Sequence, residues 1–166
     1  MIKKIALLFL CMVGLAAPLS ATATDEAAKA NHGPVADRLA IRELVESYNS
    51  AVIEINPQKW ISHWAKDGVW NLGGGDIEGK DAILEHWLSA MAPYKYAAMF
   101  SQPVFIQVDG DEAQAQWHTN ERLQLPTGDQ MLVIGRYNDR YQRLKEGWKI
   151  KSRHYSVVFT TGRPAS

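Results

Sequence analysis

The segment after Pro93 contains four long runs of residues with the alternation of side chains that is typical of β-strands. The runs are separated by the short sequences DGD, PTGD and KEG, in each of which a glycine can supply the positive φ of a tight turn. Consecutive strands joined by such turns pair antiparallel. We therefore predict an antiparallel meander with strands at 96–108, 112–125, 130–144 and 148–159.

Helical patterns come before these strands. A first helix of about 20 residues begins near Asp37 and carries one apolar face, and Asn56-Pro57 ends it because proline disfavours helix in the residue before it. A short second helix carries Trp60, Ile61 and Trp64 on one side, and a third helix is predicted at about 80–91. The apolar face of the first helix comprises Ile41, Leu44, Val45, Tyr48, Val52 and Ile55, and that of the third Ile83, Leu84, Trp87, Leu88 and Met91.

Helices followed by strands, without alternation of the two, predict an α+β fold. The predicted fold has three N-terminal helices packed into a strongly curved antiparallel sheet, which makes a cone-shaped α+β barrel. The open end of such a cone is a cavity. The folded domain is predicted at 37–160, with a disordered lead-in at 24–36 and a flexible tail at 161–166.

The first 23 residues have the pattern of a secretory signal peptide. Lys3 and Lys4 precede an apolar run at 5–17, and the small residues Ala21-Thr22-Ala23 follow. The run is shorter than the roughly 20 residues that span a bilayer. We therefore expect an exported protein, periplasmic or secreted, that has no membrane attachment after the leader is removed.

Composition excludes several classes of function. The single cysteine, Cys11, lies in the predicted leader, so the remaining chain relies on its apolar core for stability. Without Lys3 and Lys4 the 18 basic residues become 16 against 18 acidic ones, and no basic stripe predicts nucleic-acid binding. Neither zinc-ligand spacing nor a dinucleotide fingerprint is present, so no metal and no cofactor are expected.

Five stretches together resemble the SnoaL-like branch of the nuclear transport factor 2-like superfamily. They are DRLAIRELVESYNSAV, WAKDGVWNLGG, IEGKDAI, VDGDEAQAQW and GRYNDRYQRLKEGWKI, in the order and spacing of the family. The resemblance implies the same cone fold, often a homodimer formed through the outer face of the sheet, and a pocket between sheet and helices. Members include dehydratases, isomerases, cyclases, a dehydrochlorinase and pure binding domains, so the resemblance does not select a reaction.

The dehydratase and dehydrochlorinase members use an Asp near the end of the first helix and a His on the first long strand. An ungapped alignment with that pattern puts Ile53 at the Asp position and Met99 at the His position. The usual dyad is therefore replaced.

Alternation along the later strands gives other candidates for proton transfer. Glu121 shares a strand face with Trp117 and Leu123, and His154 shares one with Trp148 and Ile150. We predict that both point inward, as a general acid and base. His118, three residues from Glu121, falls on the opposite face, so the two do not form a metal site.

Asp139 is predicted to orient the imidazole of His154, and Tyr137 to donate a hydrogen bond to a substrate oxygen. Alternation alone leaves open which face of 130–144 lines the pocket, and we favour the face of Tyr137 and Asp139. The alternative is structural: Glu121 pairs with Arg136 or Arg140, and His154 is an ordinary core residue.

Several aromatic side chains are candidates for binding a small hydrophobic molecule, or else they simply fill the core. The predicted substrate-binding residues are Tyr48, Trp64, Trp70, Trp87, Met99, Trp117 and Tyr137. Two functions follow from the sequence. One is a cofactor-independent lyase or isomerase acting on a small apolar molecule, and the other is a non-catalytic carrier or sensor of such a molecule.

Overall fold

A computed structural model describes residues 30–162, which form three helices and six strands. The helices are α1 (Val35–Ile53), α2 (Pro57–Ser62) and α3 (Lys80–Met91). The strands are β1 (Trp64–Asn71), β2 (Asp76–Glu78), β3 (Tyr96–Asp109), β4 (Glu112–Gln124), β5 (Gln130–Leu144) and β6 (Gly147–Thr161). The predicted leader at 1–23 lies outside the described residues.

All six strands belong to one curved sheet in the order β2-β1-β6-β5-β4-β3. Strands β3 to β6 form the predicted antiparallel meander, and the α+β cone fold is confirmed. One pairing differs from the prediction, because β1 runs parallel to β6 and the sheet is therefore mixed. The sheet remains open, with β2 and β3 at its two edges.

The predicted helical faces pack into the sheet with small differences. Ile41, Val45 and Tyr48 of α1 are buried, whereas Ile55 lies beyond the helix end and is exposed. In α3, Ile83 and Trp87 are buried, and Leu88 is exposed because α3 covers the sheet through a narrower stripe than predicted. Trp64 is buried as predicted, but it begins β1 instead of extending α2.

Part of the predicted lead-in is held against the sheet. His32 donates its backbone N–H to Ile106 and accepts a bond from the N–H of Val108, both at 3.1 Å. Asn31 also accepts a bond from the backbone of Ile106 at 2.9 Å. The prediction of disorder is therefore wrong for this stretch, because these bonds satisfy the exposed edge of β3. At the other end, β6 continues to Thr161, one residue into the predicted tail.

A β-bulge in β6 changes which side chains face inward along that strand. The pairing of β5 with β6 shifts by one residue between Tyr141 and Arg140, so that Lys151 is an extra residue in β6. Strand β1 is irregular at the same level, and Asp67 forms an ion pair with Lys151 there. A β-bulge reverses the alternation of the residues that follow it. The face that carries Trp148 and Ile150 is therefore continued by odd-numbered residues.

The core between sheet and helices is rich in tryptophan. Trp60 of α2 stacks on Trp87 of α3, with ring centroids 4.8 Å apart and planes inclined by 19°. Trp64 and Trp70 of β1 contact Trp60 at 5.8 and 5.3 Å. Within residues 30–162, no helix is both long and apolar enough to cross a membrane.

Candidate functional site

A buried ion pair lies at the centre of the inner sheet face. Arg153 of β6 donates from Nε and Nη2 to the two carboxylate oxygens of Asp139 on β5, at 2.9 and 2.7 Å. Both side chains are completely buried. The guanidinium also lies between two phenol rings, 4.0 Å from the centroid of Tyr137 and 4.5 Å from that of Tyr48. Such stacking and bidentate geometry suit arginine in particular.

Asp139 receives a further hydrogen bond from a buried tyrosine. The Tyr141 hydroxyl donates to Oδ2 of Asp139 at 2.5 Å and accepts from the indole N–H of Trp117 at 3.0 Å. These bonds satisfy the carboxylate on both oxygens. The prediction that Asp139 orients His154 is therefore wrong, and Asp139 holds Arg153 instead.

A second polar group, the Glu121 cluster, occupies the inner face nearer the end of the sheet. We define this cluster as Met99, Thr119, Glu121, Tyr137 and Tyr155. Oε1 of Glu121 accepts hydrogen bonds from the Tyr155 hydroxyl at 2.6 Å and from the Thr119 hydroxyl at 3.2 Å. None of the ion pairs within residues 30–162 includes Glu121. The predicted inward direction of this carboxyl is thus observed, without the cationic partners of the alternative interpretation.

The alternative partners of Glu121 lie on the other side of the sheet. Arg136 and Arg140 alternate with the buried Tyr137 and Asp139 and are exposed on the outer face. The interpretation in which either arginine neutralises Glu121 is therefore wrong. The preferred inward face of β5, with Tyr137 and Asp139, is observed.

Burial controls the proton affinity of the Glu121 cluster. Burial raises the pKa of Glu121 above its usual range, and the hydrogen bonds from Tyr155 and Thr119 offset this only in part. Burial likewise raises the pKa of Tyr155, and the nearby Glu121 carboxylate adds to that rise. Burial also raises the pKa of Tyr137. The Glu121 carboxyl therefore binds a proton more readily than an exposed glutamate does, and both phenols remain hydrogen-bond donors.

Tyr137 makes only a weak bond within the cluster. Its hydroxyl donates to the thioether sulfur of Met99 at 3.5 Å, and thioether sulfur is a poor acceptor. Its ring contacts that of Tyr155, with centroids 5.0 Å apart. Because the bond to the Met99 sulfur is weak, the Tyr137 hydroxyl can turn to a stronger acceptor at little cost in free energy.

On the side of α1, the Ser101 hydroxyl donates to the buried amide oxygen of Asn49 at 3.1 Å.

His154 is not part of this site. It is exposed, pairs across the strands with Asn138, and borders an outer groove of about 340 Å³ with Arg140. The predicted pair of Glu121 and His154 is therefore wrong, because the β-bulge at Lys151 puts the two side chains on opposite faces of the sheet. The inward positions are taken by Arg153 and Tyr155.

Most of the predicted substrate-binding aromatic residues form the solid part of the core. Tyr48, Trp64, Trp87 and Trp117 are almost completely buried, and Trp70 packs on Trp60 and Trp64. Only Met99 and Tyr137 of the predicted set belong to the Glu121 cluster. The tryptophans of the predicted set therefore fill the core, and none of them belongs to the Glu121 cluster.

The two positions of the replaced dyad carry side chains without an ionisable group. Ile53 is the last residue of α1 and is partly exposed, whereas Met99 is buried and accepts the bond from Tyr137. Neither side chain exchanges protons. Within residues 30–162, no group of three or more His, Cys, Asp or Glu side chains is placed to hold a metal ion.

The outer face of the sheet contains a larger concavity. A groove of about 870 Å³ crosses β3 to β6 and is bordered by the N-terminal stretch before α1. Its walls are mostly polar and charged, with Arg140 near the middle and Asp67 paired to Lys151 at one side. This groove is on the opposite face from Glu121.

The model of the SnoaL-like domain family matches residues 34–154, which span α1 to β6. The chain belongs to the SnoaL-like domain family. A search of curated proteins found no match to it.

Solved structures with the same SnoaL-like fold include two proteins from Novosphingobium aromaticivorans. One, a candidate aromatic ring hydroxylase, has a TM-score of 0.73 and 24% identity over 78% of this chain and 95% of its own. The other, a candidate scytalone dehydratase, has a TM-score of 0.73 and 15% identity over 80% and 91%. A hexachlorocyclohexane dehydrochlorinase has a TM-score of 0.68 and 20% identity over 80% and 92%. At these identities the likeness concerns the fold.

Sequence reasoning missed three residues of this SnoaL-like domain's site: Thr119, Arg153 and Tyr155. Thr119 is on the same strand face as Glu121, so the alternation that identified Glu121 already indicated it. Arg153 and Tyr155 were on the face taken as outer. The signal that could have found Arg153 is Asp139, because a buried carboxylate is usually paired with a cation. No comparable signal in the sequence indicated Tyr155.

Proposed function

We propose that the chain binds a small apolar molecule beside the Glu121 cluster and exchanges a proton with it, as a lyase or an isomerase. The observation that carries this proposal is the environment of Glu121. Its carboxyl is half-buried on the inner sheet face, has a raised pKa and takes part in no ion pair within residues 30–162. Buried carboxylates that only stabilise a fold are usually paired with a cation, as Asp139 is here.

The two oxygens of Glu121 have different surroundings. Both hydrogen bonds go to Oε1, from Tyr155 and Thr119, and none from the described residues goes to Oε2. Oε2 is therefore the oxygen available to take up a proton. The bonds to Oε1 hold the carboxyl in one orientation while that occurs.

The proposed reaction begins at a carbon next to a carbonyl group. Glu121 takes the proton from that carbon on Oε2, and the electron pair moves onto the carbonyl oxygen. Tyr137 turns from the Met99 sulfur and donates a hydrogen bond to this oxygen. Return of the proton to another carbon completes an isomerisation. Its transfer to a departing β-hydroxyl group instead releases water and completes a dehydration.

Exchange of substrate protons with solvent tests this proposal directly. Enolisable ketones and β-hydroxy carbonyl compounds are incubated with the purified protein in D₂O, and deuterium uptake and turnover are followed by NMR. We expect Glu121→Gln to lower the rate by about 10²- to 10⁴-fold, the usual contribution of a general base. Activity that survives this substitution would remove Glu121 from the proposal.

A matched control lies on the same strand. Glu112 is an exposed residue of β4 on the outer face, so Glu112→Gln makes the same chemical change away from the cluster. We expect Glu112→Gln to retain full activity. Equal losses in both variants would indicate a general effect on the protein and not a role of the Glu121 carboxyl.

A second candidate function is a carrier or sensor that binds an apolar molecule without changing it. The replacement of the dyad by Ile53 and Met99 favours it, because these side chains cannot exchange protons. Native mass spectrometry of the purified protein would identify a retained ligand, and release of that ligand unchanged after prolonged incubation supports the carrier. Conversion of the ligand by the wild-type protein but not by Glu121→Gln supports the enzyme.

The proposal includes export and self-association. The predicted leader at 1–23 supports a periplasmic or secreted location, which N-terminal sequencing of protein recovered from a periplasmic fraction would test. The open outer face of the sheet, where Arg136 and Arg140 are exposed, is the surface through which we propose that two copies pack.

A further inference from the structure

We infer that Gly135 is a positioning residue, whose missing side chain allows Tyr155 and Thr119 to reach Glu121. The inference rests on the proposed function only in that the proposed function makes Glu121 the general base. The effect of Gly135 on the two hydrogen bonds to Oε1 of Glu121 can be tested without a substrate.

A side chain at Gly135 has no space. A Cβ atom there would lie 2.3 Å from Cε2 and 2.6 Å from the hydroxyl oxygen of Tyr155. It would also lie 2.7 Å from Oγ1 of Thr119. All three distances are below any normal van der Waals contact of a Cβ atom. The two displaced hydroxyls are the two donors to Oε1 of Glu121.

The backbone conformation does not explain this glycine. Gly135 lies inside β5, where its φ is outside the positive range that excludes other residues. A glycine in the interior of a strand lowers stability, because it packs no side chain and gains conformational freedom on unfolding. Such a residue commonly marks a close approach of another group. At Gly135 the approaching group is the Tyr155 ring.

The strand pairing explains how the ring reaches this position. Tyr155 pairs with Tyr137, while Gly135 is two residues away along β5 and pairs with Thr119 on β4. The Tyr155 side chain therefore leans along the sheet toward Glu121, passing over Gly135. A side chain at 135 would block this direction, so the ring would turn away and the 2.6 Å bond to Glu121 would be lost.

A double-mutant cycle tests the inference through the titration of Glu121, followed by ¹³C NMR of its side-chain carboxyl. Tyr155→Phe removes a donor to the carboxylate, so we expect it to raise the pKa of Glu121 in the wild-type background. In the Gly135→Ala background, where the hydroxyl no longer reaches, we expect Tyr155→Phe to leave the titration unchanged. An equal shift in both backgrounds would overturn the inference.

Gly74→Ala is the control for the substitution of glycine by alanine. A Cβ atom added at Gly74 would meet no other atom within 4 Å, and the φ of this residue is not in the positive range. We expect the full effect of Tyr155→Phe on Glu121 in the Gly74→Ala background. Loss of the effect there as well would overturn the inference, because the coupling would then not be specific to Gly135.

Thermal unfolding keeps the test decisive if Gly135→Ala folds poorly. We expect Gly135→Ala to lower Tm strongly in the wild-type background and less in a Tyr155→Ala background, where the opposing ring is absent. An equal loss in both backgrounds would overturn the inference. These outcomes are independent of the proposed reaction. A protein that shows the predicted coupling but no turnover would contradict the proposed function and support the role of Gly135.

Discussion

The hydroxyl of Tyr155 lies 2.6 Å from Oε1 of Glu121, so two side chains from non-adjacent strands share one hydrogen bond on the inner sheet face. Strand β5 lies between β4 and β6, and Gly135 of β5 leaves space for the Tyr155 ring to reach across to Glu121. The contact gives Glu121 a neutral partner where Asp139 has a charged one. The half-buried carboxyl of Glu121 and the fully buried carboxyl of Asp139 are therefore expected to respond differently to pH and to mutation.

Glu121→Gln is expected to change how stability depends on pH. Burial raises the pKa of Glu121 in the folded protein above 4.5, its value in the absence of burial, so the folded state favours the protonated carboxyl. Its stabilising contribution is complete below pH 4.5 and is lost as the pH rises through the folded pKa. The stability of Glu121→Gln relative to wild type should therefore increase over this range. Urea unfolding at a series of pH values measures it, and a constant or falling difference contradicts it.

Arg153→Met is expected to destabilise the protein by about 3–5 kcal/mol, because it leaves the Asp139 carboxylate buried without its cation. Asp139→Asn added to this variant should recover much of the loss, since the amide oxygen still accepts the Tyr141 hydroxyl. Arg122→Met, on the exposed outer face, is the control and should change stability by less than about 0.5 kcal/mol. Urea unfolding compares the three. A loss for Arg153→Met no larger than for Arg122→Met would contradict the role of the pair.

The sequence predicted the course of the chain well because the signals for it are local. Turn sequences with glycine and the apolar faces of the helices depend on neighbouring residues alone, and β5 was predicted with its observed bounds, Gln130–Leu144. Alternation put Glu121 on the inner face, where it is observed, because β4 and β5 pair with each other without interruption. Alternation alone left the two faces of β5 open, and the preferred face, with Tyr137 and Asp139, is the inner one.

The same reasoning failed in β6 because a single extra residue reverses the faces of the strand. Lys151 is that residue, and its ion pair with Asp67 depends on β1, which is distant in the sequence. The prediction put His154 on the inner face, where the structure has Arg153. The structure therefore contains the buried ion pair of Arg153 with Asp139 instead of the predicted acid–base pair of Glu121 with His154. The fit of Tyr155 over Gly135 is equally nonlocal, since it depends on the relative positions of three strands.

His154→Ala is expected to leave both the titration of Glu121 and any turnover unchanged. The imidazole is exposed on the outer face beside Asn138, on the other side of the sheet from Glu121. NMR titration of the Glu121 carboxyl and the deuterium-exchange assay provide the two measurements. Loss of exchange in His154→Ala, with the fold intact by circular dichroism, would return the histidine to the catalytic site and contradict the inward assignment of Tyr155.

Reversal of charge on the outer face tests the proposed homodimer. Arg136 and Arg140 project from the same exposed face of β5, on either side of Asn138, and Arg140 borders the 870 Å³ groove. In a twofold interface each copy presents the same residues, so a substitution there acts twice. We expect wild-type protein to sediment as a dimer at micromolar concentration and Arg136→Glu/Arg140→Glu to shift toward monomer.

The control for this reversal is Arg42→Glu on the exposed side of α1, away from the sheet. It makes the same change of charge and should leave the dimer intact, because α1 packs against the inner face and not the outer one. A wild-type protein that sediments only as a monomer would refute the dimer. A dimer that survives the double reversal but dissociates in Arg42→Glu would move the interface from the sheet to the helices.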